Sequence, residues 1–168
     1  MKNNKGFSLI ELIVVIAIMS ILAAIVTLGV GAISGSKVKE CAKGIEAVLN
    51  KARVSSMGKD QVTAQLYIGD DDAYYMDLTT KINGSSDTQT KRVGRSELVL
   101  MYSYKDDYSD PQVLKKQGKL KISFDRSSGE LKADESGNYC QRIWVQNKKG
   151  SVVWTITIYK ETGTVEVE

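Results

Sequence analysis

The chain has 168 residues, a formal net charge of +3 and 42% hydrophobic residues. It contains no histidine, which excludes Ser-His and Cys-His nucleophilic pairs and any metal bound through imidazole. We therefore expect a protein that is not an enzyme and that has no cofactor and no metal site.

A long apolar run dominates the N-terminal part of the chain. From Leu12 to Val30 only two residues are polar, and such a run is roughly as long as a helix that crosses the hydrocarbon core of a membrane. Lys2 and Lys5 lie on its short side, and a cationic flank tends to stay cytoplasmic. We predict a single membrane segment with its N terminus inside the cell.

The apolar run continues into an amphipathic segment. Apolar residues recur there at helical spacing, at Val38, Cys41, Ile45, Val48, Leu49 and Ala52. This pattern predicts one helix from about Phe7 to about Met57, roughly 75 Å long at 1.5 Å per residue. Because a membrane is much thinner than this, half of the helix must project from it.

A lone carboxylate, Glu11, stands at the edge of the apolar run. An acidic residue deep in a bilayer costs roughly 2.5 to 3.5 kcal/mol and usually has a partner and a function; the alternative is that it reaches the headgroups. The residues around it are Lys5-Gly6-Phe7-Ser8-Leu9-Ile10-Glu11-Leu12. This segment resembles the processing motif of type IV pilins and type II secretion pseudopilins, and the resemblance extends to about residue 30.

The resemblance implies a processing site and an assembly residue. In that family a prepilin peptidase cuts after the glycine and methylates the new amino terminus, so the cut would fall between Gly6 and Phe7, with N-methylation of Phe7. Glu11 would then be the glutamate used in filament assembly. A buried carboxylate next to the amine of an adjacent subunit's Phe7 would be neutralised, whereas either group alone would be penalised.

One feature departs from the family pattern. Many long-pilus subunits have a proline in the second half of the apolar helix, whereas the only proline of this chain is Pro111. Gly29, Gly31 and Gly35 could loosen the helix instead, since glycine costs roughly 1 kcal/mol against alanine. The alternative is that these small residues allow close packing against neighbouring helices.

Residues 59–168 predict a β-rich head. Alternating apolar residues predict strands at Val62–Ile68, Ala73–Thr79 and Leu98–Tyr104, the last near the middle of a sheet because both of its faces carry apolar residues. The polar stretch Thr80–Glu97 predicts the longest loop, a surface that a partner could contact.

The last fifty residues predict a meander of antiparallel strands. Its connections end in Gly129, Gly150 and Gly163, which suit the left-handed position of short hairpin loops. This region and the segment after the helix, Ala52-Arg53-Val54-Ser55-Ser56, are also loosely similar to H-type (FimT-like) minor pseudopilins.

Several side-chain groups have two interpretations each. Cys41 and Cys140 form either a disulfide in an oxidising compartment, worth about 4 kcal/mol in the chain-entropy model, or two buried thiols.

Asp70-Asp71-Asp72 could hold calcium, but the spacing matches no EF-hand loop and favours a solvated turn. The same two interpretations apply to Asp106, Asp107 and Asp110. Asn83-Gly84-Ser85 fits the short and common glycosylation triplet.

Six aromatic residues of the head could be taken for a platform that stacks single-stranded DNA. At alternating strand positions such residues more often form core or cross-strand pairs. Without Lys2 and Lys5 the chain keeps 21 basic and 20 acidic side chains, so we expect no bulk attraction to nucleic acid. The six are Tyr102, Tyr104, Tyr139, Trp144, Trp154 and Tyr159.

We therefore predict an α+β fold in which a long N-terminal helix packs on an antiparallel sheet of about five to eight strands. The predicted parts are a leader (1–6), a transmembrane or filament-core helix (7–34), an amphipathic helix (35–58) and a head (59–168).

The predicted function is a structural subunit of a type IV pilus or type II secretion-like filament. It would wait in the cytoplasmic membrane and then enter a cell-surface or periplasmic filament. Its partners would be prepilin peptidase, other pilin subunits and the membrane assembly platform. The alternatives are a signal-anchored exported ligand-binding or enzymatic domain, and a DNA-uptake pseudopilin.

Overall fold

The computed structural model describes residues 9–58, 61–104, 110–151 and 153–168, with the side chains of 21–34 outside that description. The chain divides into two compact units, Met1–Gly35 and Ser36–Glu168. A helix and antiparallel sheets make up the described residues, which confirms the predicted α+β class.

Helix α1 spans Leu9–Ser56, close to the predicted range. The helical conformation continues through all three glycines near its middle. After the last turn, the Gly58 N–H donates to the Ser55 carbonyl at 3.3 Å. The glycines therefore do not interrupt the helix in this single chain.

The described part of the head contains nine strands in two antiparallel sheets, so the prediction of one sheet with five to eight strands is wrong. The first sheet has the order β3-β2-β1-β6 and the second the order β5-β4-β7-β8-β9. The strand bounds are β1 Gln61–Ile68, β2 Tyr74–Ile82, β3 Ser85–Gly94, β4 Leu98–Ser103, β5 Gln112–Val113, β6 Lys119–Ser123, β7 Arg142–Asn147, β8 Val153–Ile158 and β9 Val165–Val167.

The prediction of a long loop at Thr80–Glu97 is also wrong, because most of this stretch belongs to the hairpin of β2 and β3. Strands β2 and β3 pair up to Ile82 and Ser85, and the two residues between them, Asn83 and Gly84, have φ values of 50° and 84°. Two positive φ values are typical of the type I′ hairpin turn. Strand β3 shows no apolar alternation because it is an edge strand whose first eight residues are exposed.

The predicted meander is shorter than expected. Strands β7, β8 and β9 pair consecutively, but β6 pairs with β1 in the other sheet. The predicted glycine turns are confirmed, with φ values of 74° at Gly129, 68° at Gly150 and 64° at Gly163. Strand β4, predicted near the middle of a sheet, lies between β5 and β7; it is an interior strand, one place from the middle of the five.

One hydrophobic cluster joins the second half of α1 to both sheets. The helix contributes a stripe of buried residues. Burial of each large apolar side chain stabilises the fold by roughly 1.5 to 3 kcal/mol. This confirms the predicted amphipathic segment. Its most buried members are Val38, Cys41, Ala42, Ile45, Leu49 and Ala52.

Candidate functional site

The N-terminal motif lies at the start of α1. Gly6 and Phe7, the predicted processing and methylation positions, are outside the described residues. Glu11 lies in the first turn of the helix and is exposed.

The helical residues on both sides of Glu11 expose apolar side chains around the helix. Leu9 is 76% exposed, Ile13 56% and Ile16 57%. The Ser20 hydroxyl donates to the Ile16 carbonyl at 2.8 Å, so this polar group is satisfied within the helix. A helix that is apolar all round needs a cover of lipid or protein, which the single chain does not supply for residues 9–20.

Within the described residues, which exclude the side chains of 21–34, no helix is both long and apolar enough to cross a membrane.

The two cysteines are free thiols, and both are buried. A Cβ added at Gly94 would meet the Cys41 sulfur at 2.8 Å, and the Cys140 sulfur lies 4.0 Å from the Arg142 carbonyl oxygen. Burial raises the pKa of each thiol to about 12. The structure thus has the buried-thiol alternative and not the disulfide.

The triple aspartate forms a turn in which the carboxylates of Asp71 and Asp72 are paired with neighbours. Asp71 Oδ1 accepts the Ala73 N–H at 3.1 Å, and its Oδ2 accepts the Tyr75 hydroxyl at 3.0 Å. Asp72 pairs with Lys116 at 2.6 Å. Among the residues described, no three acidic or cysteine side chains form a metal-binding group; Asp106 and Asp107 lie outside that part.

The aromatic residues form several separate contacts. Tyr102 and Tyr104 pack edge to face with their centroids 5.3 Å apart, and both pack against the core together with Tyr139 and Trp154. The Tyr159 hydroxyl donates to a neighbouring glutamate. Core packing accounts for four of the six aromatic residues; of these four, Tyr102 and Trp154 lie in strands, whereas Tyr104 and Tyr139 lie outside them.

A basic cluster, not predicted from the sequence, surrounds Glu97. Lys37 Nζ donates to Glu97 Oε2 at 2.7 Å. This hydrogen bond, together with the charges of Lys37, Arg95 and Lys148, lowers the pKa of Glu97. A cleft of about 350 Å³ next to Lys37 is also lined by Arg92 and Arg95. We use the name basic cluster for Lys37, Arg92, Arg95 and Lys148, which lie too far apart in the chain for a linear motif to group them.

Comparison with known families gives a match at the N-terminal end of the chain. Residues 1–27 match the family model described as the prokaryotic N-terminal methylation motif. Comparisons with curated proteins and with solved structures give no match. The N-terminal segment thus carries the class III signal peptide motif of type IV pilins, which indicates a pilin-like or pseudopilin precursor.

Proposed function

We propose that this chain is the precursor of a structural filament subunit, either a pilin, a minor pilin or a pseudopilin. The observation that carries the proposal is the methylation motif at residues 1–27, joined to a helix whose first turns expose apolar side chains. The motif supplies a processing signal, and the exposed helix supplies a surface that other copies can cover.

Processing would occur at the residues that the motif aligns with the cut. Prepilin peptidase would cleave between Gly6 and Phe7 and methylate the new amino group of Phe7. The cut removes Lys2 and Lys5, the cations that favour a cytoplasmic N terminus. The remaining amine then lies four residues before Glu11 in the chain.

Glu11 would determine the register of assembly. It is exposed in the first turn of α1, where helix packing in a filament would surround it with apolar side chains of other subunits. A carboxylate in such surroundings is strongly penalised unless a cation pairs with it. The amine of a neighbouring Phe7 is the cation that the processing step creates.

Cohesion of the filament would come from the apolar first half of α1. Apolar surface removed from water contributes roughly 25 cal/mol per Å², and the exposed residues 9–20 have such surface around the helix. The head has its own hydrophobic core, so it can remain folded on the outside of the filament. The partners would be prepilin peptidase, other pilin subunits and the assembly platform of the cytoplasmic membrane.

Incorporation into filaments tests this proposal. Glu11→Ala and Glu11→Gln should be processed normally but enter sheared filaments at a level reduced at least about tenfold, because the buried amine loses its counter-charge. Glu130→Gln, which removes an exposed carboxylate from a turn of the head, is the matched control and should assemble normally. Normal incorporation of both Glu11 variants would contradict the role of Glu11. A wild-type chain that is never found in filaments would favour a signal-anchored domain instead.

A further inference from the structure

The basic cluster has more cations than its own carboxylates neutralise. Lys37 is bonded to Glu97, and Arg92 lies 3.8 Å from Asp71. Within the described part of the chain, Arg95 and Lys148 are exposed and have no carboxylate within 4 Å. Glu40 also lines the cleft. Even when its carboxylate is counted with those of Glu97 and Asp71, the four cations leave a net positive charge.

Three cations of this cluster, Lys37, Arg92 and Arg95, line one cleft. The cleft beside Lys37 has a volume of about 350 Å³ and is open to solvent between Arg92 and Arg95. Arginine binds phosphate through two parallel N–H donors, and lysine binds it as a point charge. A phosphate group therefore fits the chemistry of the cluster.

The cluster also lies close in the chain to the apolar run. Lys37 is the second residue of the unit Ser36–Glu168 and follows Val30 by seven residues. Seven residues of chain span at most about 25 Å even when fully extended. With residues 12–30 in the hydrocarbon core, Lys37 therefore lies within that distance of the headgroups.

We propose that the basic cluster binds the phosphate groups of anionic phospholipids while the precursor waits in the membrane. The proposal rests on the membrane-anchored precursor of the proposed function. It assigns the cluster to the non-cytoplasmic leaflet, where the head emerges. Extraction of the subunit into a filament would break these contacts, so the lipid holds the head at the membrane surface only before assembly.

Hydrogen exchange of the full chain in nanodiscs tests this inference. The amides of residues 95–97 and 148–150 lie in exposed turns at the cluster. In nanodiscs with phosphatidylglycerol they should exchange at least about threefold more slowly than in phosphatidylcholine alone, because bound lipid closes these turns to water. The slowing should disappear at 0.5 M salt, where the Debye length is only a few ångströms.

Charge variants and a soluble phosphate separate the possible causes. The double variant Arg95→Gln/Lys148→Gln should lose the slowing, whereas Lys81→Gln/Lys121→Gln, which removes two exposed lysines of the first sheet, should keep it. Glycerol phosphate added to phosphatidylcholine nanodiscs should have no effect; equal protection by it would overturn the lipid assignment in favour of a soluble anion site.

A flotation control distinguishes the two proposals. The full chain should float with phosphatidylcholine vesicles through its apolar run alone. Flotation without any effect of phosphatidylglycerol on exchange would overturn the lipid inference and leave the anchored precursor intact. Failure to float would overturn both.

Discussion

The two ends of α1 share one backbone conformation but differ in what covers their apolar residues. In residues 9–20, apolar side chains are exposed around the helix. In residues 36–56, the apolar side chains other than the exposed Val54 form one stripe that is buried in the core with two sheets. The first segment contributes little to the stability of the isolated chain and needs an external cover, whereas the second is part of the head's core. Stability and assembly should therefore respond to different substitutions.

The largest expected effect tests this contrast directly. Leu49 is fully buried and Ile13 is 56% exposed. Leu49→Ala should lower the free energy of unfolding of the head by about 2–5 kcal/mol, since it leaves a cavity, whereas Ile13→Ala should change it by less than about 0.5 kcal/mol. Denaturant titration of the full chain in detergent measures both. Equal losses would mean that the two ends of α1 do not differ in this way.

A second pair of variants shows how tightly the head is packed around its turns. Gly163 has φ 64°, and an added Cβ would meet the Gly129 carbonyl oxygen and the Phe124 ring. Gly150 has φ 68° with open space around it. Gly150→Ala should cost about 1 kcal/mol from the left-handed backbone alone, and Gly163→Ala at least about 2 kcal/mol because steric overlap adds to it. Thermal unfolding measures the difference, and a reversed order would contradict this packing.

Thiol labelling measures how firmly the second half of α1 is attached to the sheets. Because burial raises the pKa of Cys41 and Cys140 to about 12, both should stay protonated and unlabelled by a thiol reagent at pH 8. Both should be labelled in denaturant without a reductant. Rapid labelling of Cys41 in the native chain would show that the helix opens, and labelling only after reduction would show a disulfide.

The smallest expected effect concerns the turn that carries Asp125. The Ser127 hydroxyl and the backbone N–H groups of Ser127 and Ser128 donate to its carboxylate and lower its pKa from the ordinary 3.8 to about 2. Its stabilising contribution is therefore present above about pH 4 and is lost as the pH falls through about 2. Asp125→Ala should slightly lower Tm at pH 6, with no difference from wild type below pH 2. A difference that persists well below pH 2, where the carboxylate is protonated, would mean that the charge of Asp125 is not the cause.

The N-terminal helix could be predicted from the sequence more fully than the arrangement of the strands in the head. The N-terminal motif and the helix depend on contiguous residues, so the methylation motif and the amphipathic stripe could be predicted directly. The roles of Gly6, Phe7 and Glu11 stay predictions. The pairing of β6 with β1 joins strands far apart in the chain, and no local pattern specifies it. Without that pairing, one sheet was the simplest prediction.

Two further features were missed for different physical reasons. Strand β3 is polar and exposed along most of its length, so hydrophobic alternation could not reveal it, although the Asn83-Gly84 pair is a strong hairpin signal. The basic cluster brings together Lys37, Arg95 and Lys148 from the helix and two turns. Only the tertiary fold places these charges around Glu97.

The intact mass and N-terminal sequence of the protein recovered from its own cells test the central claim most directly. A filament subunit processed by the pilin pathway should begin at a methylated Phe7, and Gly6→Ala should leave the leader attached. A wild-type chain that retains residues 1–6 and an unmethylated Phe7 would contradict the proposed function. Glu11 would then be an ordinary residue at the membrane interface, and the function would have to lie in the head.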